Sequence, residues 1–152
     1  MIIKPLQYLF TASICLSSLL SLAQGEQIHI PTSKSIVGIW QQFVTVKSAS
    51  GEVKDYFTGN YKVVNPDGTY YTFVNSIKGT SIGQYGTYKI TSDSTLTEHI
   101  AELYLNPYYS GKDSFIKYHL PNANTLNLTF SFDGEQWNHE TWKRVPPHKP
   151  KN

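Results

Sequence analysis

Few side chains in this sequence are of a type and spacing suited to acid–base or metal chemistry. A carboxylate and an imidazole, Glu98 and His99, stand side by side in the run Thr-Leu-Thr-Glu-His-Ile. Neighbours on a β-strand point to opposite faces, so the two cannot serve one proton-transfer site. Histidines occupy positions 29, 99, 119, 139 and 148. Their spacing is not that of a metal motif, and His99 and His119, close across a hairpin, should both face solvent. A zinc site needs three or four converging ligands, so none is expected. The chain has no Gly-rich phosphate loop, no Gly-x-Ser-x-Gly, no His-Glu-x-x-His and no calcium loop. We therefore assign no catalytic residue, expect no cofactor, and read the chain as a non-enzyme.

What remains is binding. Aromatic residues make up 14% of the 152 residues, with 11 Tyr, 7 Phe and 3 Trp, and only 16% are charged. That composition excludes a disordered chain. A net charge of +2 gives no basic field for nucleic acid, which is not expected as a partner. Three tyrosines, Tyr104, Tyr108 and Tyr109, cluster in one segment, 103–113. Whether such rings line a cavity or lie on a surface depends on the elements that carry them.

The N-terminus reads as an address. Lys4 precedes an apolar run, and Ser21-Leu22-Ala23 forms a small-x-small cleavage pattern, so residues 1–23 are expected to be a removed signal peptide. The single cysteine, Cys15, lies inside it, preceded by Ile14 rather than the small residue that lipidation would need. The exported chain, periplasmic or secreted, would be soluble, free of disulfides and not inserted in a membrane. Residues 24–35 read as a polar surface segment and 146–152 as a flexible Pro- and Lys-rich tail.

Between them, short β-rich runs alternate with turn signals, and no sustained helical period appears. Eight segments read as strands: 36–47, 53–65 with a bend near Gly59, 69–75, 84–90, 95–102, 114–120, 125–132 and 136–145. Asn65-Pro66-Asp67-Gly68 and Asp133-Gly134 supply turn chemistry. Strands joined in this way make an all-β meander, and eight can close into an up-and-down antiparallel β-barrel over 36–145. Connections then alternate between ends. Tight turns at 66–68, 91–94 and 121–124 would share one end with both barrel termini. The segments 48–52, 76–83 and 103–113, with the hairpin at 133–134, would form an open mouth.

Gly38-Ile39-Trp40 opens the first strand and Trp142-Lys143-Arg144 closes the last, which resembles the lipocalin-type Gly-x-Trp with its C-terminal Arg. Together with Asn-Pro-Asp-Gly-Thr at 65–69, Tyr-Gly-Thr-Tyr at 85–88 and Thr-Glu-His-Ile at 97–100, the chain resembles a lipocalin-like, calycin-type family of secreted proteins from gut-type Gram-negative bacteria. The resemblance implies a fold and no particular activity. In physical terms, Trp40 can plug the barrel floor with roughly 200 Å² of aromatic surface, and Arg144 can lie over its face. Gly38, Trp40, Trp142 and Arg144 are thus read as the structural base.

Strand parity sorts the remaining candidates. Leu96, Glu98 and Ile100 share an inward face, as do Ile116, Tyr118 and Leu120, and Leu126, Leu128, Phe130 and Phe132. Trp40, Gln42, Val44 and Val46 share a face, and Tyr88 and Ile90 should point in. On the last strand, a bulged loop would turn Glu140, Trp142 and Arg144 inward, whereas a two-residue loop would turn Trp137, His139 and Thr141 inward. The Trp40–Arg144 argument favours the first. An inward Glu98 needs a partner, such as Arg144, or water. Gln42, Tyr88, Glu98, Tyr118 and Phe130 are the candidate cavity residues, with Tyr104, Tyr108 and Tyr109 at the mouth.

The leading expectation is a carrier or sensor for one small amphipathic or apolar molecule. An alternative is a protein- or glycan-interaction module using the Tyr-rich segment 103–113. A third is an isomerase or cyclase with Glu98 as acid or base.

Overall fold

A computed structural model describes residues 35–147. Residues 1–23, expected to be a signal peptide, residues 24–34 and residues 148–152 lie outside the described residues. Eight antiparallel strands close into one barrel in chain order: β1 (Gly38–Lys47), β2 (Val53–Val64), β3 (Thr69–Ser76), β4 (Gly79–Ser92), β5 (Thr95–Leu103), β6 (Asp113–Asn122), β7 (Thr125–Ser131) and β8 (Asn138–Arg144). β8 returns to β1, pairing Trp40 with Arg144 and Phe43 with Thr141. Closure leaves no free sheet edge along the paired stretch. Among the described residues, no helix is long and apolar enough to cross a membrane.

The eight expected strands are all present, and two connections differ from expectation. Residues 76–83, read as a mouth loop, are almost entirely strand. Ser76 pairs with Gly79 across a tight hairpin, and the ladder runs on through Ser81 and Ile82. The Ser76 hydroxyl holds this turn, accepting from the Lys78 amide and donating to the Gly79 carbonyl, both at 3.2 Å. The Asp133–Gly134 connection is wider than a short hairpin. It spans 132–137 because the Asp133 carboxylate gathers the amides of Glu135 and Gln136, each at 2.8 Å, with the Ser131 hydroxyl at 2.9 Å.

This wider loop sets the register of β8. Leu126 faces Trp142 and Leu128 faces Glu140, so the Glu140–Trp142–Arg144 row continues the inward leucine row. The core cluster sits at the floor, with Ile36, Trp40, Val64, Leu96, Ile116, Leu126, Leu128 and Trp142 buried together. Alternation overreaches at the strand ends. Val44 and Val46 lie beyond the stretch of β1 that β8 covers, and Ile90 lies at the outer end of β4, so all three are about half exposed.

The floor is tied by Arg144. Its Nε, Nη1 and Nη2 donate to the carbonyls of Ala123, Val37 and Ser35, each at 2.7 Å. Its guanidinium carbon lies 4.1 Å from the Trp40 ring centroid. Trp40 Nε1 donates to the Ile36 carbonyl at 2.7 Å. Gly38 has a φ of 141°, and a Cβ there would meet Arg144 Nη1 at 2.5 Å. The glycine is what lets the guanidinium lie against the backbone.

Candidate functional site

β5 alternates as its sequence demands. Leu96, Glu98 and Ile100 are buried, while His99 and Ala101 are exposed. His99 pairs outward with Asp113 at 2.8 Å, well separated in direction from Glu98. Glu98 is only 4% exposed, and a carboxylate there demands a partner. The partner is Lys62 of β2, itself 6% exposed, rather than Arg144. Arg144 is committed to three carbonyls at the floor, whereas Lys62 reaches Glu98 across the interior. Its Nζ also lies 4.9 Å from the centroid of the buried Tyr70 ring. Gln84 Nε2 donates to the Tyr70 hydroxyl at 2.8 Å. Burial, reinforced by the Glu98 charge, holds that phenol well above its ordinary range, so it stays neutral.

A third charged group joins from β8. Glu140 Oε2 accepts from Trp142 Nε1 at 3.1 Å. Burial pushes the Glu140 carboxyl up, Lys62 and the Trp142 bond pull it down, and Glu98 pushes it up again.

Above this polar floor lies a cavity of about 190 Å³. Lys62, Glu98, Glu140 and Gln84 are among its polar groups, and Ile116, Leu128, Phe130 and Phe132 are among its apolar walls. At the share of about 30 Å³ that a water takes in liquid, the space equals about six waters. Below Lys62 and Glu98 the packing leaves only about 10 Å³, among residues such as Val64, Tyr88 and Leu126. That is at or under the least a water requires.

The candidate residues separate into three groups. Gln42, Glu98 and Phe130 line the cavity. Gln42 Oε1 accepts from Asn60 Nδ2 at 2.7 Å and from the Thr58 hydroxyl at 2.9 Å. Tyr88 and Tyr118 do not reach the cavity. They pack against the core, with hydroxyls bonded to the carbonyls of Asn65 and Ser92 at 2.7 and 3.4 Å. They belong to the lower halves of their strands, and Tyr88, the ladder partner of Glu98, borders the small void beneath the Lys62–Glu98 pair. Of the mouth tyrosines, Tyr104 and Tyr108 point away from the cavity, Tyr108 being 70% exposed. Tyr109 ends a short 3₁₀ turn, Pro107–Tyr109, and stacks on Phe132 at 3.9 Å, which joins the β5–β6 loop to the cavity rim. Gly38, Trp40 and Arg144 form the base, while Trp142 is one layer higher and lines the cavity.

Sequence reasoning missed Lys62, Tyr70 and Gln84. One signal was present for Lys62. It shares a face with Val64, two residues on, which pairs with Gly38 at the base. Among the described residues, no group of three or more His, Cys, Asp or Glu is placed to hold a metal ion.

No curated protein matches this sequence. Residues 35–151, the whole barrel included, match the protein family described as Domain of unknown function (DUF4488). A match over so much of the chain places it in that family: the eight-stranded barrel with its Lys62–Glu98 interior is a DUF4488 domain.

Proposed function

We propose that this barrel is an exported, non-enzymatic carrier or sensor that holds one small amphipathic molecule in its cavity. The observation that supports this reading most is the mixed wall. Charged and amide groups at Lys62, Glu98, Glu140 and Gln84 share one void with Leu128, Phe130 and Phe132. Sites for small molecules combine an apolar lining with a few placed polar groups in this way. The void of about 190 Å³ is smaller than the ~300–1,000 Å³ typical of drug-sized ligands, so the bound part is small. The lipocalin-like Gly-x-Trp and Arg base, and the leader pattern at 1–23, agree with a carrier that works outside the cytoplasm. The alternative module on the Tyr-rich loop has less support. The Tyr109 ring is spent on Phe132, and Lys112 Nζ lies 3.2 Å from the Tyr108 centroid.

Native mass spectrometry of protein purified from its producing cells tests the reading. We expect a reproducible extra mass that is lost on denaturation. We also expect it to be absent from Ile116→Phe, which fills the cavity. A bare mass, or an extra mass indifferent to Ile116→Phe, would overturn the proposal.

A further inference from the structure

Inside the barrel the charges do not balance. The cavity wall carries one cation, Lys62, and two carboxylates, Glu98 and Glu140. Lys62 pairs with Glu98, with the Tyr70 ring beside it, and its one positive charge also acts on Glu140, so two carboxylates share one lysine. The basic groups of β8 do not serve Glu140 either: His139 is exposed and its Nδ1 bonds the Thr129 hydroxyl at 3.0 Å. Lys143 reaches Asp55 at 3.4 Å on the outside, and Arg144 holds three floor carbonyls. Among the described residues, Glu140 therefore has no ion-pair partner. Its Oε2 accepts from Trp142, while its Oε1 has no protein donor among the described residues and is open to solvent, since no buried side-chain oxygen there lacks a partner. Next to this open carboxylate oxygen stand Leu128 and Phe130, an apolar place for the body of a guest.

Resting on the cavity reading above, we infer that the ligand is a small primary amine whose ammonium is received by Glu140 and whose apolar body lies against Leu128 and Phe130. An ammonium supplies both things Glu140 lacks, a compensating charge and hydrogen-bond donors. A carboxylate or phosphate ligand would add a third anion beside two carboxylates that share one lysine. The space of about six waters suits a one-ring or short-chain amine.

The test uses three probes of nearly equal shape: 2-phenylethylamine, 2-phenylethanol and phenylacetate. Each is titrated into the full barrel and followed by NMR of the cavity side chains. We expect the amine to bind at least tenfold more tightly than the alcohol, and phenylacetate more weakly than either. In Glu140→Gln, which keeps the size and the acceptor for Trp142, the amine should fall to the level of the alcohol. Glu140→Asp, which keeps the charge, should retain part of the preference, and melting curves of both variants show whether the barrel is intact. Equal binding of amine and alcohol, or a preference that survives Glu140→Gln, would overturn the amine and leave the cavity reading standing. No binding by any of the three would sink the cavity reading, and the amine with it.

Discussion

Lys62 of β2 and Glu98 of β5 form an ion pair across the barrel interior, between strands that are not neighbours in the sheet. Both side chains line the cavity above and the far smaller void below. The pair is thus the partition between a packed floor and an open upper half. It also explains why the cavity has a polar bottom, since water or a guest above the pair meets charge and not the leucine core.

A buried pair of this kind is worth little against an apolar pair of equal size, yet breaking it is costly. Lys62→Met alone leaves Glu98 buried without a partner and should cost about 3–5 kcal/mol. The double variant Lys62→Met, Glu98→Leu should recover most of that loss. Urea unfolding of the wild type, both single variants and the double variant measures the coupling. Simple addition of the two single costs would show that the two groups do not act as a pair.

Arg144 makes a second prediction at the floor. Three donors meet three carbonyls while the guanidinium covers Trp40. Lysine keeps the charge but not the planar fork. Arg144→Lys should therefore lose about 2 kcal/mol, from hydrogen bonds to a charged group and the ring contact. For a domain of this size that is a fall in Tm of about 8 °C. An unchanged melting temperature would mean that Trp40 alone holds the floor.

The contrast between these two sites shows what alternation can reveal. Glu98 is legible as an interior residue because Leu96 and Ile100 frame it on the same face of a regular strand. The Trp40–Arg144 contact is legible because both residues stand at the ends of an even-stranded meander and must meet. Lys62 is hidden by its own neighbours. Val63 and Val64 put one apolar residue on each face, and the extra residues of β2 opposite Gln42 break the count from the mouth. The segment 76–83 misleads too: it reads as a mouth loop, yet Gly79 makes a tight hairpin turn and Gly83 lies within β4. The roles of Tyr104, Tyr108 and Tyr109 depend on how one loop folds back, and no strand periodicity extends into that loop.

Asp133 should make the mouth sensitive to acid. The amides of Gln136 and Glu135, then the Ser131 hydroxyl, hold its carboxyl below the ordinary value of 3.8. A folded value below the unfolded one means stability that is present above pH 3.8 and is lost as pH falls through the folded value. Asp133→Asn should be less stable than the wild type at neutral pH, and the gap should close as pH falls through the folded value. Hydrogen exchange at the Glu135 and Gln136 amides, followed against pH in both proteins, reads this directly. A gap of constant size down to low pH would mean that the charge on Asp133 is irrelevant to the loop.

Glu140 should act with the opposite sign. Burial holds its carboxyl above the ordinary value of 4.5, although Lys62 and Trp142 oppose the shift. The folded barrel then binds this proton more tightly than the unfolded chain does. Stability from this group is largest below pH 4.5 and declines as pH rises through the raised value. Glu140→Gln removes the decline and keeps an acceptor for Trp142 Nε1. Without ligand, the variant and the wild type should have similar urea midpoints at about pH 4, and the variant should be the more stable at about pH 8. Such a gain would fit a carboxylate retained at a cost to the empty barrel, as binding groups often are. Equal pH profiles for the two proteins would show that Glu140 is already well solvated, and that its charge does not strain the empty cavity.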